Sequence, residues 1–134
     1  KINLNSNISR MHYLRWHWPL TANILDKLGI MYDSTLCYAD NPGFRCSTCK
    51  EFRMFDPLNQ RSLNIIQRPL IMMESSVLDK RYLNLESSLE SLNLMLTLKQ
   101  KCQMVKGKFV FLWHNCHLRT QEERIMYSLL LKSS

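Results

Sequence analysis

Along the chain, apolar and polar positions alternate between two rhythms, one fitting short buried strands and one fitting amphipathic helices. Residues 8 to 14 predict a strand bounded by polar residues. Pro19, tolerated in a first helical turn, opens a helix whose apolar side carries Ile24, Leu25 and Leu28, and Gly29 ends it. "GIMYD", 29 to 33, predicts a second strand. From Ser34 to Gln67 no helical period is visible, and with Pro42, Gly43 and Pro57 the stretch predicts one loop far longer than usual. "RPLIMMES", 68 to 75, has a continuous apolar centre, as expected of a parallel strand covered on both faces. The clearest helix spans 83 to 105, with Leu85, Leu89, Leu92 and Leu96 at spacings of four, three and four, flanked by Leu94, Leu98 and Cys102, and Gly107 follows it. "KFVFLWHN", 108 to 115, predicts a fourth strand, and 122 to 132 a last helix with Ile125, Leu129 and Leu130 on one side. Strands and helices in this order predict the α/β class, with parallel strands and helices packed outside them.

Composition narrows the picture. The 134 residues suit one domain, and 46% hydrophobic against 22% charged residues can build a core. The net charge of +7, from 18 basic and 11 acidic residues, is scattered. Its densest part, Lys99, Lys101, Lys106 and Lys108, surrounds the predicted end of a helix, where lysines complement the helix dipole. No apolar run approaches the roughly 20 residues needed to span a bilayer, and the first seven residues read as polar coil rather than a signal peptide. Five cysteines, an odd number in a chain able to form a core, predict free thiols and a reducing, cytoplasmic setting. With three glycines in all, and no glycine-rich phosphate loop, GxSxG elbow or HExxH, the sequence excludes a self-contained nucleotide-dependent enzyme.

Candidate chemistry gathers where predicted strands end, the place where α/β folds collect ligands. "ISRMHYLRWHW", 8 to 18, loads one such end with Arg10, His12, Tyr13 and two tryptophans, while Asp33 and then His114 with Asn115 end two others. A histidine can protonate a leaving group, a carboxylate can orient it, and an arginine can hold a carboxylate ionised. "CSTC" (Cys46, Cys49) and "HNCH" (His114, His117) could in principle supply four zinc ligands. The histidine spacing is shorter than usual, though, and the cysteine pair does not open a helix, so the residues read better as loop thiols. "GFRCSTCKEFRMF" interleaves Phe44, Phe52 and Phe55 with Arg45, Lys50 and Arg53, a pattern that can stack bases or sugars or pin a loop.

The stretches "RMHYLRW", "GIMYDSTLCYADNPGFRCSTCKEFRMFD", "RPLIMMES" and "FVFLWHN" together resemble the polysaccharide deacetylase family, the NodB-homology carbohydrate esterases. The likeness is to a bacterial branch associated with sugar-polymer biosynthesis, and it extends from about residue 8 to 115. It implies a distorted β/α barrel and metal-dependent hydrolysis of sugar N-acetyl groups. The family's motif of arginine, any residue, proline and an aromatic is matched at Arg10 to Tyr13, with His12 in place of the proline. By that match Arg10 orients a catalytic aspartate, and the backbone near Tyr13 helps bind the oxyanion. Asp33 takes an acidic motif position, and His114 takes that of the general acid. Leu112 and Trp113 border the substrate. The family's Asp-Asp and HxxxH motifs are missing. Residues 1–134 are therefore expected to form a single partial domain, the C-terminal half of the barrel, inactive alone. The divalent metal, zinc or similar, would have no ligands in this chain, and a missing half-domain or an oligomer partner would cover the strand edges. The implied partner is a polysaccharide or oligosaccharide. Two other classes compete: a non-catalytic carbohydrate-binding scaffold, and a nucleic-acid-binding module, the latter disfavoured because no recognised nucleic-acid motif accompanies the basic loop.

Overall fold

The computed structural model describes residues 7–132. The polar coil expected at the start therefore lies, apart from Asn7, outside the described residues. Strands β1 (Ile8–Ser9), β2 (Tyr32–Asp33) and β4 (Arg61–Gln67) run parallel, and β3 (Phe52–Asp56) pairs antiparallel with β4, giving the order β1-β2-β4-β3. A second, two-stranded parallel sheet joins β5 (Met72–Met73) to β6 (Phe111–Leu112). Helices α1 (Leu20–Lys27), α2 (Glu74–Leu78), α3 (Leu89–Met104) and α4 (Gln121–Leu131) complete the chain. The mixed α/β class with parallel strands is thus present. The two sheets do not join into a closed barrel among the described residues. No described helix is long and apolar enough to cross a membrane.

Several expectations are corrected. The predicted strand 8 to 14 is a two-residue strand followed by a 3-10 turn, His12–Leu14. Tyr13 and Leu14 adopt left-handed φ angles of 57° and 51°, which no continuous strand can contain. The predicted strand 29 to 33 pairs only at Tyr32 and Asp33. The long loop contains a hairpin: alternate residues Met54 and Asp56 of β3, and Leu63, Ile65 and Gln67 of β4, are buried, the period-2 signature of a half-covered sheet. The Asp56 carboxylate closes its turn, accepting from the backbone amides of Leu58 (3.0 Å) and Asn59 (3.3 Å) and the side chains of Asn59 (2.7 Å) and Asn23 (2.8 Å). These bonds hold its pKa down at about 2. The third predicted strand keeps two residues before turning into α2 at Glu74, and burial is unbroken from Pro69 to Leu78. The fourth, predicted over 108 to 115, likewise pairs only at Phe111 and Leu112.

Helix faces differ too. α1 buries Ala22 and Leu25, while Ile24 and Leu28 face outward. The roll follows from its polar residues: Asn23 reaches Asp56, and Asp26 accepts the backbone amides of Asn64 (2.7 Å) and Ile65 (3.0 Å), tying this side of the helix to the hairpin. α3 begins at Leu89, capped by a reciprocal Ser88–Ser91 box, and buries Ser91, Met95, Leu98 and Cys102 rather than the leucine series. α4, capped the same way by Thr120 and Glu123, buries Met126 and Leu130, leaving Ile125 exposed.

The main core packs α3 and α4 against β5 and β6. A second core lies between α1 and the β3–β4 hairpin. The small third one, Cys37, Leu70 and Met73, supports the floor of the strand ends.

Candidate functional site

A cavity of about 510 Å3 opens at the carboxyl ends of β1, β5 and β6. Arg10, Tyr13, Leu112 and His114 line it, together with Asp79 and His117. Four of the six residues singled out from the sequence therefore share one site. The segment 10 to 14 forms its lip. Tyr13 is 80% exposed and stacks on His12 with ring centroids 4.2 Å apart, so its ring stands free at the mouth.

That lip is fixed from below by Asp33. Its buried carboxylate accepts the Ser9 hydroxyl (2.6 Å), the Thr35 amide (2.8 Å) and the Thr35 hydroxyl (2.8 Å), and Thr35 Oγ1 in turn accepts the Met11 amide at 2.9 Å. Asp33 is consequently a clamp between the ends of β1 and β2 and does not line the cavity. Arg10 bonds Ser34, Nε to its carbonyl at 3.0 Å and a terminal nitrogen to its hydroxyl at 3.1 Å. Partial burial lowers the Arg10 pKa, while Asp33 and Cys37 pull it back up. Burial also pushes the Cys37 thiol up to about 12, keeping it neutral behind the lip.

The carboxylate that meets His114 is Glu74, the first residue of α2. Its Oε1 lies 2.5 Å from His114 Nδ1, and the Glu74 side chain is wholly buried while that of His114 is 45% exposed. A buried carboxylate at this distance selects the tautomer whose Nδ1–H donates to it, leaving Nε2 for the cavity. Glu74 Oε2 finds no donor among the described residues. His117 extends the array, with Nε2 3.4 Å from Asp79 and 3.9 Å from Glu74, and Nδ1 3.4 Å from Glu123 at the start of α4. Burial is the largest single influence on Glu123 and would raise its pKa, but the hydrogen bonds from the Thr120 and Arg119 amides and the contact with His117 together outweigh it and hold the carboxyl below its usual value.

Trp113 lies behind this wall rather than in it. Its indole N–H donates to the His117 carbonyl at 2.6 Å, and its ring packs on Tyr127 with centroids 5.5 Å apart. Alternation explains this: Leu112 and His114 point to one side of β6 and its extension, and Trp113 points to the other.

The zinc set weighed from the sequence is dispersed. His114 and His117 border the cavity, but Cys49 sits in the main core, where Gly107 and Cys102 crowd its thiol. Among the described residues no three His, Cys, Asp or Glu side chains converge as a cation site.

Glu74 had a sequence signal. It is the charged residue that ends the apolar run from Pro69, so the strand-end rule that picked Arg10, Asp33 and His114 applies to it equally. Compared with known protein families, with curated proteins and with solved structures, the chain matches none.

Proposed function

We propose that this domain is part of a polysaccharide deacetylase-like barrel that hydrolyses N-acetyl groups on a sugar polymer. The observation that carries the proposal is the Glu74–His114 pair on the wall of a cavity rimmed by Arg10 and Tyr13. A histidine held by a buried carboxylate through one nitrogen can exchange a proton with substrate through the other. Here water adds to the acetyl carbonyl, and as the C–N bond breaks to release acetate His114 donates a proton to the departing amine. Arg10 supplies positive charge at the lip, Leu112 an apolar wall against the acetyl methyl group, and Tyr13 a surface for the sugar ring.

The divalent metal expected from the family resemblance finds no converging ligand set among the described residues. On this reading the domain supplies proton transfer and substrate contacts.

The test is acetate release from chitooligosaccharide by a protein joining these residues to the expected metal-holding half, supplied with zinc or cobalt. His114→Ala is expected to lower kcat about 10²-fold or more while changing KM little. A kcat within about twofold of the parent would leave His114 a strand cap and sink the proposal. Calorimetric titration of the present chain with the same metals is expected to show no tight binding. A tight stoichiometric site would overturn the assignment of the ligands to another segment.

A further inference from the structure

We propose that a second site, a groove of about 330 Å3 between Trp16, Trp18 and Phe52 with Arg45 beside them, is a saccharide-binding subsite that receives a ring of the polymer next to the one held in the cavity. The proposal rests on the saccharide reading above and assigns the place where the polymer continues.

The groove and the cavity share one piece of chain. Leu14 lines the cavity and Trp16 lines the groove. One residue, Arg15, lies between them, so the two positions are at most about 7 Å of backbone apart. The left-handed turn at Tyr13 and Leu14 redirects the chain between the two sites. Left-handed residues other than glycine are unfavourable, and they persist where the surroundings hold them in place. Here the Met11–Thr35–Asp33 chain of hydrogen bonds does the holding.

The groove is open yet firmly based. Trp18 is 42% exposed and Phe52 37%, so both remain accessible from solvent. Trp16 packs against the core between α1 and the hairpin, and Met54, 1% exposed, forms part of the floor. The Trp16 and Trp18 rings are inclined by only 23°, with centroids 6.5 Å apart, and so present stepped, nearly parallel faces. Arg45 is steered by a 2.8 Å bond from one terminal nitrogen to the Cys37 carbonyl, which leaves its other donors for a ligand. Little side-chain ordering remains to be done on binding.

The occupant follows from this chemistry. Flat aromatic faces suit the apolar face of a sugar ring, and a guanidinium donates to its hydroxyl or carbonyl oxygens. Arg45 is the one cation among the groove-lining residues. A nucleic acid strand needs several phosphates neutralised as its bases stack, which one guanidinium does not provide. Burial raises the pKa of the Cys46 thiol on the rim, so this atom adds no charge of its own.

The experiment is titration of the chain, followed by tryptophan fluorescence, with N-acetylglucosamine and with its linear β-1,4 tetramer. Trp113, packed on Tyr127, lies outside the groove and serves as an internal reference. The tetramer is expected to bind at least about tenfold more tightly than the monomer. Trp18→Ala should abolish that difference without changing monomer affinity. Phe52→Ala, at the start of the edge strand where the side chain is part exposed, should reduce it and guards against loss of folding in the first variant; far-UV circular dichroism checks both. A length preference unaffected by either variant would refute the subsite, while acetate release sensitive to His114 would leave the parent reading standing. Failure of the tetramer to bind would also refute the subsite, and the acetate assay would then judge the parent reading separately. Binding of oligothymidylate that depends on Trp18 and falls steeply with salt would replace the saccharide by a nucleic acid.

Discussion

Gly107 turns the chain from α3 toward β6, and replacing it with alanine tests the packing that aims His114. Its amide donates to the Cys102 carbonyl (2.8 Å), and the next amide, of Lys108, donates to the Cys49 carbonyl (2.9 Å), so the turn is bound to residue 49. A Cβ at Gly107 would lie 2.2 Å from Cys49 Sγ and 3.2 Å from both its Cβ and its carbonyl oxygen. Carbon contacts are ordinarily about 3.5–4.0 Å, so the sulfur must retreat by more than about 1 Å. It has nowhere to go, since Cys49 is 2% exposed and its core neighbours Ile71 and Cys102 are fully buried. Overpacking of this kind costs about 1–3 kcal/mol. Alanine recovers about 0.4–1 kcal/mol by restricting the unfolded chain. A net destabilisation of roughly 1–2 kcal/mol is expected, read as a lower urea midpoint at unchanged m value by far-UV circular dichroism. Cys49→Ala removes the offending sulfur, so Gly107→Ala added to that background should cost at least about 1 kcal/mol less than it does alone. A Gly107→Ala protein as stable as the parent, or strictly additive effects in the double variant, would refute the packing argument.

Glu74→Gln keeps the volume at α2 but replaces the carboxylate that holds His114 Nδ1 by an amide, and is expected to lower kcat for acetate release about 10²-fold in the assembled protein with KM nearly unchanged. A twofold change would show that His114 works without it. For Asp56, whose pKa is depressed from about 3.9 in the unfolded chain to about 2 in the fold, the sign is that of stability present above the unfolded value and lost as pH falls through about 2. Melting temperature from pH 5 to 2 should therefore decline more steeply in the parent than in Asp56→Asn, and parallel curves would contradict the turn described here. Asp33→Asn should loosen the lip through Thr35 and Met11, raising KM for the oligosaccharide more than it lowers kcat, whereas a pure loss of kcat would mean that Asp33 acts directly in the reaction.

The sequence by itself determined the class of the fold and where two of its helices stop. Gly29 and Gly107 mark where helices stop, the apolar run before Glu74 marks a strand buried on both faces, and the strand-end rule brought Arg10, Tyr13 and His114 to a common site. These signals are local, since a backbone break or a period of two or four residues is complete within a short window. The hairpin of β3 and β4 was legible in the same way, through its alternating buried positions, but a search for helical period passes over it. Only the tertiary structure decided which polar groups meet. His114 pairs with Glu74, 40 residues away, while Asp33 is consumed by Ser9 and Thr35. It also decided which face each helix buries: Asn23 and Asp26 dock α1 on the hairpin through hydrogen bonds, and leucine periodicity carries no record of such partners. A buried polar atom must find its partner wherever strand register and packing bring one within about 3 Å, and that is a property of the assembled fold rather than of any segment.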